Sequence, residues 1–246
     1  MKLNAEWVSD RLQQKVSVAR WGAVGTPVLL FPTAGGDAEE IERFRIIDTL
    51  ADHLAAGRIK IYSCDSVAGR MMLGQEGSPQ HQMWALDRFQ EFVRWELVPA
   101  IRQDCRDPDI EIVTAGASIG AFNALAVTCR YPEVFRAALC MSGTYDLKRF
   151  FEAAPTEHFY YASPLEYLPA LEGPTLDALR TRFVLLAAGE GKAENIGESW
   201  RVADLLGRKG VPNRVDSWGS DWDHDWPTWR RMLRHYLDEL VPAPVS

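Results

Sequence analysis

The sequence predicts a protein of the α/β class, with a mostly parallel, twisted sheet covered by helices on both faces. Short apolar segments rich in β-branched residues alternate along the chain with longer segments of helical periodicity, the pattern of parallel strands joined by crossover helices. Turn residues bound each short segment, and a length of 246 residues suffices for one large core. We therefore expect a single domain over residues 1–246, with right-handed crossovers.

The predicted strands are short and apolar. The first two, residues 15–20 and 26–32, are predicted to form an antiparallel hairpin joined at residues 22–25, because alternating segments around a short Gly-containing loop favour that arrangement. Later strands are predicted at residues 59–63, 110–115, 137–141, 183–187 and 213–218. Their alternation with helices indicates parallel pairing.

The predicted helices lie between these strands, at residues 38–56, 82–105, 118–131, 197–208 and 227–240. The first of them is followed by Gly57, a residue typical of the position after a helix. The long irregular stretch of residues 144–181 is rich in aromatic residues and proline. We expect it to be a short cap or insertion over one edge, whose aromatic side chains either wall an acyl or aryl pocket or pack in the core.

Composition excludes several classes of partner. The chain has 27 basic and 34 acidic residues, a formal net charge of −7, and no block of Lys and Arg of the kind that a nucleic-acid surface needs. No apolar stretch approaches the ~20 residues that span a bilayer, and the first residues contain no apolar core of a secretory signal. We expect a cytoplasmic protein with no nucleic-acid or membrane partner.

The sequence also indicates no cofactor. Its four cysteines are widely spaced, without a CxxC pair, which favours reduced thiols over disulfides or a zinc site. The chain shows no cluster of metal ligands and neither the phosphate-binding nor the dinucleotide-binding glycine motif. We therefore expect no metal and no organic cofactor, and the sequence leaves a homo-oligomer open.

The motif that indicates chemistry is Gly-Ala-Ser-Ile-Gly at residues 116–120, between the strand at 110–115 and a helical segment. A serine hydroxyl is a weak nucleophile, so it must stand on a sharp turn where an imidazole can reach it. Glycines permit the close packing of strand and helix around that strained turn. We predict that Ser118 is a nucleophile, the alternative being an ordinary Gly-rich loop.

One histidine has the position that a catalytic base requires. When a serine occupies such a turn, the base comes last in chain order, after the acid. Only His224 follows the last predicted strand in a polar loop before the final helix, whereas the other histidines lie in predicted helices or earlier in the chain: His53, His81, His158 and His235. We predict that His224 is the base, the alternative being a solvated loop histidine.

The residues leave the acid open. Glu190 and Glu194 lie in the loop after the strand at 183–187, where a carboxylate could hold the imidazole tautomer. Asp146, one strand earlier, and Asp223, beside the histidine, are further alternatives.

Oxyanion stabilisation needs two backbone amides aimed at the tetrahedral oxygen. We predict the amide of Ile119, directly after the nucleophile, and that of Ala34, in the loop after the strand at 26–32. The glycine pair beside Ala34 lets that loop approach the site closely. The alternative is a tight turn in which Asp37 caps a helix.

Over nearly its whole length the chain resembles the esterase D-like branch of the α/β-hydrolases, which includes S-formylglutathione hydrolases, feruloyl esterases and mycolyltransferases. The resemblance rests on FPTAGGD at residues 31–37, GASIGAFNAL at 116–125, MSGTYDL at 141–147 and SWGSDWDHDWPTWRRML at 217–233. It implies an α/β-hydrolase fold with His224 as the family histidine, and it points to Glu194 as the acid. Pro32 and Thr33 stand where the family has His-Gly, which bears on the oxyanion loop.

These residues together predict acyl transfer. Ser118 would attack an ester carbonyl, His224 would move the proton, and water would release the acyl group. We expect a serine esterase that hydrolyses a small to medium soluble carboxylic ester through an acyl-enzyme intermediate. The alternatives are an acyltransferase with the same triad and a non-catalytic α/β-hydrolase-like binding protein.

Overall fold

The computed structural model describes residues 1–241. Its strands are β1 (Lys2–Ser9), β2 (Gln14–Trp21), β3 (Thr26–Phe31), β4 (Ile59–Cys64), β5 (Ile112–Ala117), β6 (Phe135–Met141), β7 (Phe183–Ala188) and β8 (Asn213–Ser217). They form one sheet in the spatial order β1-β2-β4-β3-β5-β6-β7-β8. The pairs β1–β2 and β2–β4 are antiparallel, and all the others are parallel. The predicted α/β class with a mostly parallel sheet is confirmed.

The predicted hairpin between residues 15–20 and 26–32 is wrong. β2 pairs with β1 on one side and β4 on the other, while β3 lies between β4 and β5 and is parallel to both. The loop between β2 and β3 crosses the start of β4, where a Cβ on Gly25 would lie 2.6 Å from the carbonyl oxygen of Gly57. β1 escaped prediction because it is a largely exposed edge strand without a regular apolar pattern.

The helices are α1 (Glu40–Arg43), α2 (Ile46–Thr49), α3 (Ala51–Ala55), α4 (Val67–Leu73), α5 (Pro79–Phe92), α6 (Val98–Cys105), α7 (Ile119–Arg130), α8 (Glu157–Ala162), α9 (Pro164–Tyr167), α10 (Pro174–Leu179), α11 (Ile196–Arg208) and α12 (Trp226–Leu240). The predicted helix at 38–56 is broken into α1, α2 and α3, with Arg45 at φ 65° between the first two. A π-helical turn, Val93–Leu97, joins α5 to α6. Pro99 cannot donate the hydrogen bond that a regular α-helix would need there.

Two apolar layers cover the sheet. On one face α5, α6, α7 and α11 contribute to a core that includes Phe92, Phe122 and Val202. On the other face α1, α2 and α12 contribute a second core that includes Ile46 and Met232. The strands between these layers are buried on both sides, which explains their continuous apolar sequences.

Residues 144–181 contain three short helices, α8, α9 and α10, and two turns of 3-10 helix, Leu147–Phe150 and Leu168–Ala170. Phe159 on α8 is buried in the core, which favours packing over a pocket wall for this residue. Tyr160 and Tyr161 line a cavity of about 270 Å³ with Arg130, at the end of α7 remote from Ser118. These three aromatic residues therefore lie in the core or at the far end of α7.

A buried histidine links the N-terminal helices to the last helix. The ring nitrogens of His53 lie 3.0 Å from Asp52 and 2.9 Å from Asp238 on α12. Burial alone would raise the pKa of Asp238, but hydrogen bonds from Arg58 and His53 outweigh it and hold that pKa below its usual value. This contact fixes α3 against α12.

A second charged cluster lies at the amino edge of the parallel strands. The Lys60 side chain, 4% exposed, donates from Nζ to Oδ2 of Asp104 at 2.6 Å. Burial alone would raise the pKa of Asp104, but Lys60 and the Tyr62 hydroxyl both donate to it and hold the pKa low. The cluster is at the opposite edge of the sheet from Ser118, because Lys60 stands at the start of β4.

Candidate active site

Ser118 stands alone between β5 and α7 in a backbone conformation that side chains rarely adopt. Its φ is 57° and its ψ −120°, and the residue is half-buried. The strain is held by hydrogen bonds: its amide donates to the carbonyl of Met141 at 3.0 Å, and its own carbonyl accepts from the amide of Thr144 at 3.3 Å. A strained serine on a strand-to-helix turn is the geometry of an exposed nucleophile.

The two glycines around this serine are required by packing. A Cβ on Gly116 would lie 2.2 Å from the carbonyl oxygen of Gly120, so the strand and the helix could not meet. A Cβ on Gly120 would lie 2.6 Å from the carbonyl oxygen of Phe31 and 2.7 Å from that of Pro32. The helix that follows the serine is thus pressed against the loop that holds Ala34.

Glu194 is the carboxylate that meets His224. Its side chain is only 1% exposed, and Oε2 lies 3.5 Å from Nδ1 of His224. Its other oxygen, Oε1, accepts a hydrogen bond of 2.5 Å from the hydroxyl of Ser142. Ser142 has a φ of 47° and donates its amide to the carbonyl of Ala187. Ser142 lies in the segment MSGTYDL, and its residue type and spacing predicted no role for it.

The other candidate carboxylates lie elsewhere. Glu190 is exposed and accepts from the hydroxyl of Ser217 at 2.5 Å. Asp146 is paired with Arg201 at 2.7 Å. Asp223 accepts from the backbone amide of Lys192 at 2.6 Å. Each of these carboxylates is engaged with a partner other than the histidine.

His224 lies in the loop between β8 and α12, with its side chain 22% exposed. Its amide donates to the carbonyl of Lys192 at 3.0 Å, and its ring meets Trp229 edge to face at 5.0 Å between centroids. The side chain of the following residue, Asp225, accepts from the amide of Thr228 and caps α12. The loop is therefore fixed to the helix that follows it.

Topology brings Ser118 and His224 to one edge. Ser118, Ser142, Glu194 and His224 follow the carboxyl ends of β5, β6, β7 and β8, four adjacent parallel strands. In residues 1–241 no hydrogen bond joins the Ser118 hydroxyl to the His224 ring. Contacts between serine and base are often long before substrate binds. The two residues are linked indirectly. The Ser118 amide donates to Met141, the next residue, Ser142, donates to Glu194, and Glu194 approaches His224.

The two predicted oxyanion amides are unengaged. Within the described part of the chain, neither the amide of Ile119 nor that of Ala34 donates a hydrogen bond to a protein acceptor. The neighbouring Thr33 amide is not available, because it donates to Glu40 at 2.7 Å. Ala34 is therefore the first residue of its loop whose amide can serve a ligand.

Across residues 1–241, no group of three or more His, Cys, Asp and Glu side chains has an arrangement suited to holding a metal ion. Nor does any helix in that range have the length and apolar character of a membrane span.

A family model described as "Putative esterase" matches residues 55–240, which include the serine turn, the Glu194 loop and the His224 loop. The chain belongs to this esterase family. No curated protein matches the esterase significantly.

Among solved structures, the esterase is similar to a ferulic acid esterase, with 18% identity, 98% of each chain covered and a TM-score of 0.75. It is also similar to an S-formylglutathione hydrolase from Agrobacterium tumefaciens, with 12% identity, coverage of 99% of this chain and 95% of that one, and a TM-score of 0.74. The fluorophosphonate-binding serine hydrolase FphF from Staphylococcus aureus matches at 11% identity, 98% of each chain and a TM-score of 0.72. The predicted α/β-hydrolase fold is confirmed.

Proposed function

We propose that this esterase is a serine carboxylic ester hydrolase in which Ser118 is the nucleophile, His224 the general base and Glu194 the orienting acid. The observation that carries the proposal is the 3.5 Å approach of the buried Glu194 carboxylate to His224 at the sheet edge where Ser118 stands in its strained turn. Because Nδ1 faces the carboxylate, Nε2 is the ring nitrogen left for proton transfer.

The reaction follows from these roles. Ser118 Oγ forms a bond to the carbonyl carbon of the ester while Nε2 of His224 takes the hydroxyl proton. The negative charge that develops on the carbonyl oxygen accepts hydrogen bonds from the amides of Ile119 and Ala34. The ester C–O bond then breaks, and His224 returns the proton to the leaving alcohol. Water, deprotonated by His224, then attacks the acyl carbon. The bond between that carbon and Ser118 Oγ breaks, His224 returns the proton to Oγ, and the carboxylic acid leaves.

The substrate class we propose is a small to medium soluble ester. Its support is the insertion of residues 144–181, which consists of short helices with Phe159 buried in the core. One apolar surface does stand beside the oxyanion loop: Leu73 is 65% exposed, and its Cδ1 would lie 3.4 Å from a Cβ on Gly35. This single side chain suits a short acyl group better than a long one.

The test is a panel of p-nitrophenyl esters with acyl chains from two to twelve carbons, together with a fluorophosphonate probe. We expect turnover that is greatest for short chains, stoichiometric labelling, and loss of both in Ser118→Ala. A rate lower by several orders of magnitude is typical when a triad residue is removed. Ser217→Ala, which removes a hydroxyl at the same sheet edge, is the matched control and should keep both properties.

Two outcomes separate the alternatives. Addition of methanol would yield a methyl ester at the expense of free acid if the acyl-enzyme prefers an alcohol, which would favour an acyltransferase. A chain that neither turns over any ester nor takes the probe would instead be a binding protein, and the proposed function would be wrong.

A further inference from the structure

A buried carboxylate lies under the loop that holds the proposed oxyanion donor. Glu40, on α1, is 7% exposed. Its two oxygens accept two hydrogen bonds from one residue: Oε2 from the amide of Thr33 and Oε1 from the Thr33 hydroxyl, both at 2.7 Å. Among residues 1–241, no Lys, Arg or His forms a salt bridge with Glu40.

The buried Glu40 carboxylate is not explained by its contribution to stability. A buried carboxylate without a cationic partner is costly, because it loses its hydration. Two charge-assisted hydrogen bonds offset part of that cost. Both bonds are directed at Thr33, one of the two positions where the loop departs from the His-Gly of the family. Glu40 therefore holds Thr33, the residue directly before the Ala34 amide.

The loop is held on both sides of Ala34. After it, Gly36 donates its amide to the Thr33 carbonyl at 3.0 Å and accepts at its own carbonyl from the amide of Ser66 at 3.1 Å. Gly36 also accommodates the carboxylate, since a Cβ there would lie 2.4 Å from Oε2 of Glu40. The amides of Thr33 and Gly36 are thus engaged. Between them, within residues 1–241, the amides of Ala34 and Gly35 donate no hydrogen bond to a protein acceptor, and Ala34 is the one directly joined to the held Thr33.

We propose that Glu40 is a positioning residue, which through Thr33 aims the Ala34 amide at the oxyanion of the transition state. The proposal rests on the serine-esterase function proposed above. Glu40 touches no reacting atom. Its carboxylate holds the Thr33 amide away from the substrate and fixes the peptide that follows, so that the donor is in place before charge develops on the carbonyl oxygen.

The expected effect is on the transition state and not on ground-state binding. Removing one oxyanion donor costs ~10²- to 10³-fold in kcat, so a donor that is only misaligned should cost less, ~10- to 100-fold. In Glu40→Ala we expect kcat for a short p-nitrophenyl ester to fall by that factor, with KM within threefold of the parent. The inhibition constant of a trifluoromethyl ketone, which forms a tetrahedral oxyanion on the serine, should rise in parallel.

Conservative variants keep the test sharp if Glu40→Ala folds poorly. A glutamine at position 40 can accept from the Thr33 amide and donate to the Thr33 hydroxyl, so Glu40→Gln should stay within about fivefold of the parent kcat. Thr33→Val removes one of the two bonds and should cost about tenfold. Glu39→Gln, at the half-buried neighbour that accepts a hydrogen bond from Asn4, is the matched control and should leave kcat and the inhibition constant unchanged.

All rates are expressed per active site titrated with the fluorophosphonate probe, so that loss of folded protein does not count as loss of catalysis. If Glu40→Ala and Thr33→Val keep both kcat and the trifluoromethyl ketone inhibition constant within twofold, the carboxylate is merely structural and the proposal is overturned. That result is distinguishable from failure of the proposed function, in which the parent would neither turn over an ester nor take the probe, or Ser118→Ala would retain activity.

Discussion

The sharpest prediction concerns the two glutamates of one loop. Glu194→Gln and Glu190→Gln are the same chemical change, four positions apart, after the same strand. The first removes the buried charge that faces His224, whereas the second removes an exposed charge bound to Ser217. We expect a large loss of kcat in Glu194→Gln and almost none in Glu190→Gln.

The magnitude follows from the geometry. In the proposed mechanism His224 becomes a cation when it takes the serine proton, 3.5 Å from a carboxylate that is 1% exposed. At that distance and an effective dielectric constant of ~20, the Coulomb energy is about 5 kcal/mol. Since 1.36 kcal/mol is tenfold in rate, and His224 is partly exposed to solvent, we expect a loss of about 10³-fold in kcat. KM should change little, because the charge pair exists only after proton transfer.

The assay is steady-state hydrolysis of a short p-nitrophenyl ester, with the concentration of active sites set by fluorophosphonate titration. Ser142→Ala should lose an intermediate amount of kcat, because it removes only the hydroxyl that donates to Oε1 of Glu194. The reasoning is refuted if Glu194→Gln loses less than tenfold, or if the two glutamine variants lose equal amounts. Equal losses would return attention to Asp146 and Asp223.

Three further predictions concern packing and charge. Gly120→Ala should lower the free energy of unfolding by about 3 kcal/mol and reduce activity, because its Cβ would press on two backbone carbonyls; urea unfolding and ester turnover measure this, and unchanged stability would refute it. Asp104→Asn leaves Lys60 buried without its carboxylate. Removal of one partner of a buried ion pair costs about 3–5 kcal/mol. Because Asp104 is 37% exposed, we expect the free energy of unfolding, measured in urea, to fall by about 2–3 kcal/mol, with kcat unaltered. The pKa of Asp238 is lowered in the folded state, so its contribution is full above the unfolded pKa of about 4 and is lost as pH falls through the folded pKa. Asp238→Asn should therefore flatten the acid side of the stability curve below about pH 4, whereas Asp221→Asn, at an exposed position, should leave it unchanged.

Much of the site could be predicted because its signals are local. A glycine on each side of Ser118, after an apolar strand and before a helix, already implies a turn that only small neighbours allow. The position of His224 after the last strand required only chain order. The pairing of β2 could not be predicted in the same way, because the choice between β3 and β4 as its neighbour depends on contacts distant in sequence.

The contributions of Glu40 and Ser142 had no signal of this kind. Both are ordinary polar residues whose partners, Thr33 and Glu194, become neighbours only through packing. A carboxylate seven positions after Thr33 could equally have been a solvated helix residue.

The sequence by itself determined seven of the eight strands of residues 1–241, the serine turn and the histidine loop, since each depends on the periodicity and residue types of a short segment. Only the tertiary structure decided which glutamate faces the imidazole and which backbone amides stay free. A side chain in a loop meets its partner only when the sheet brings the carboxyl ends of its strands together. Residue spacing does not show which way that side chain points.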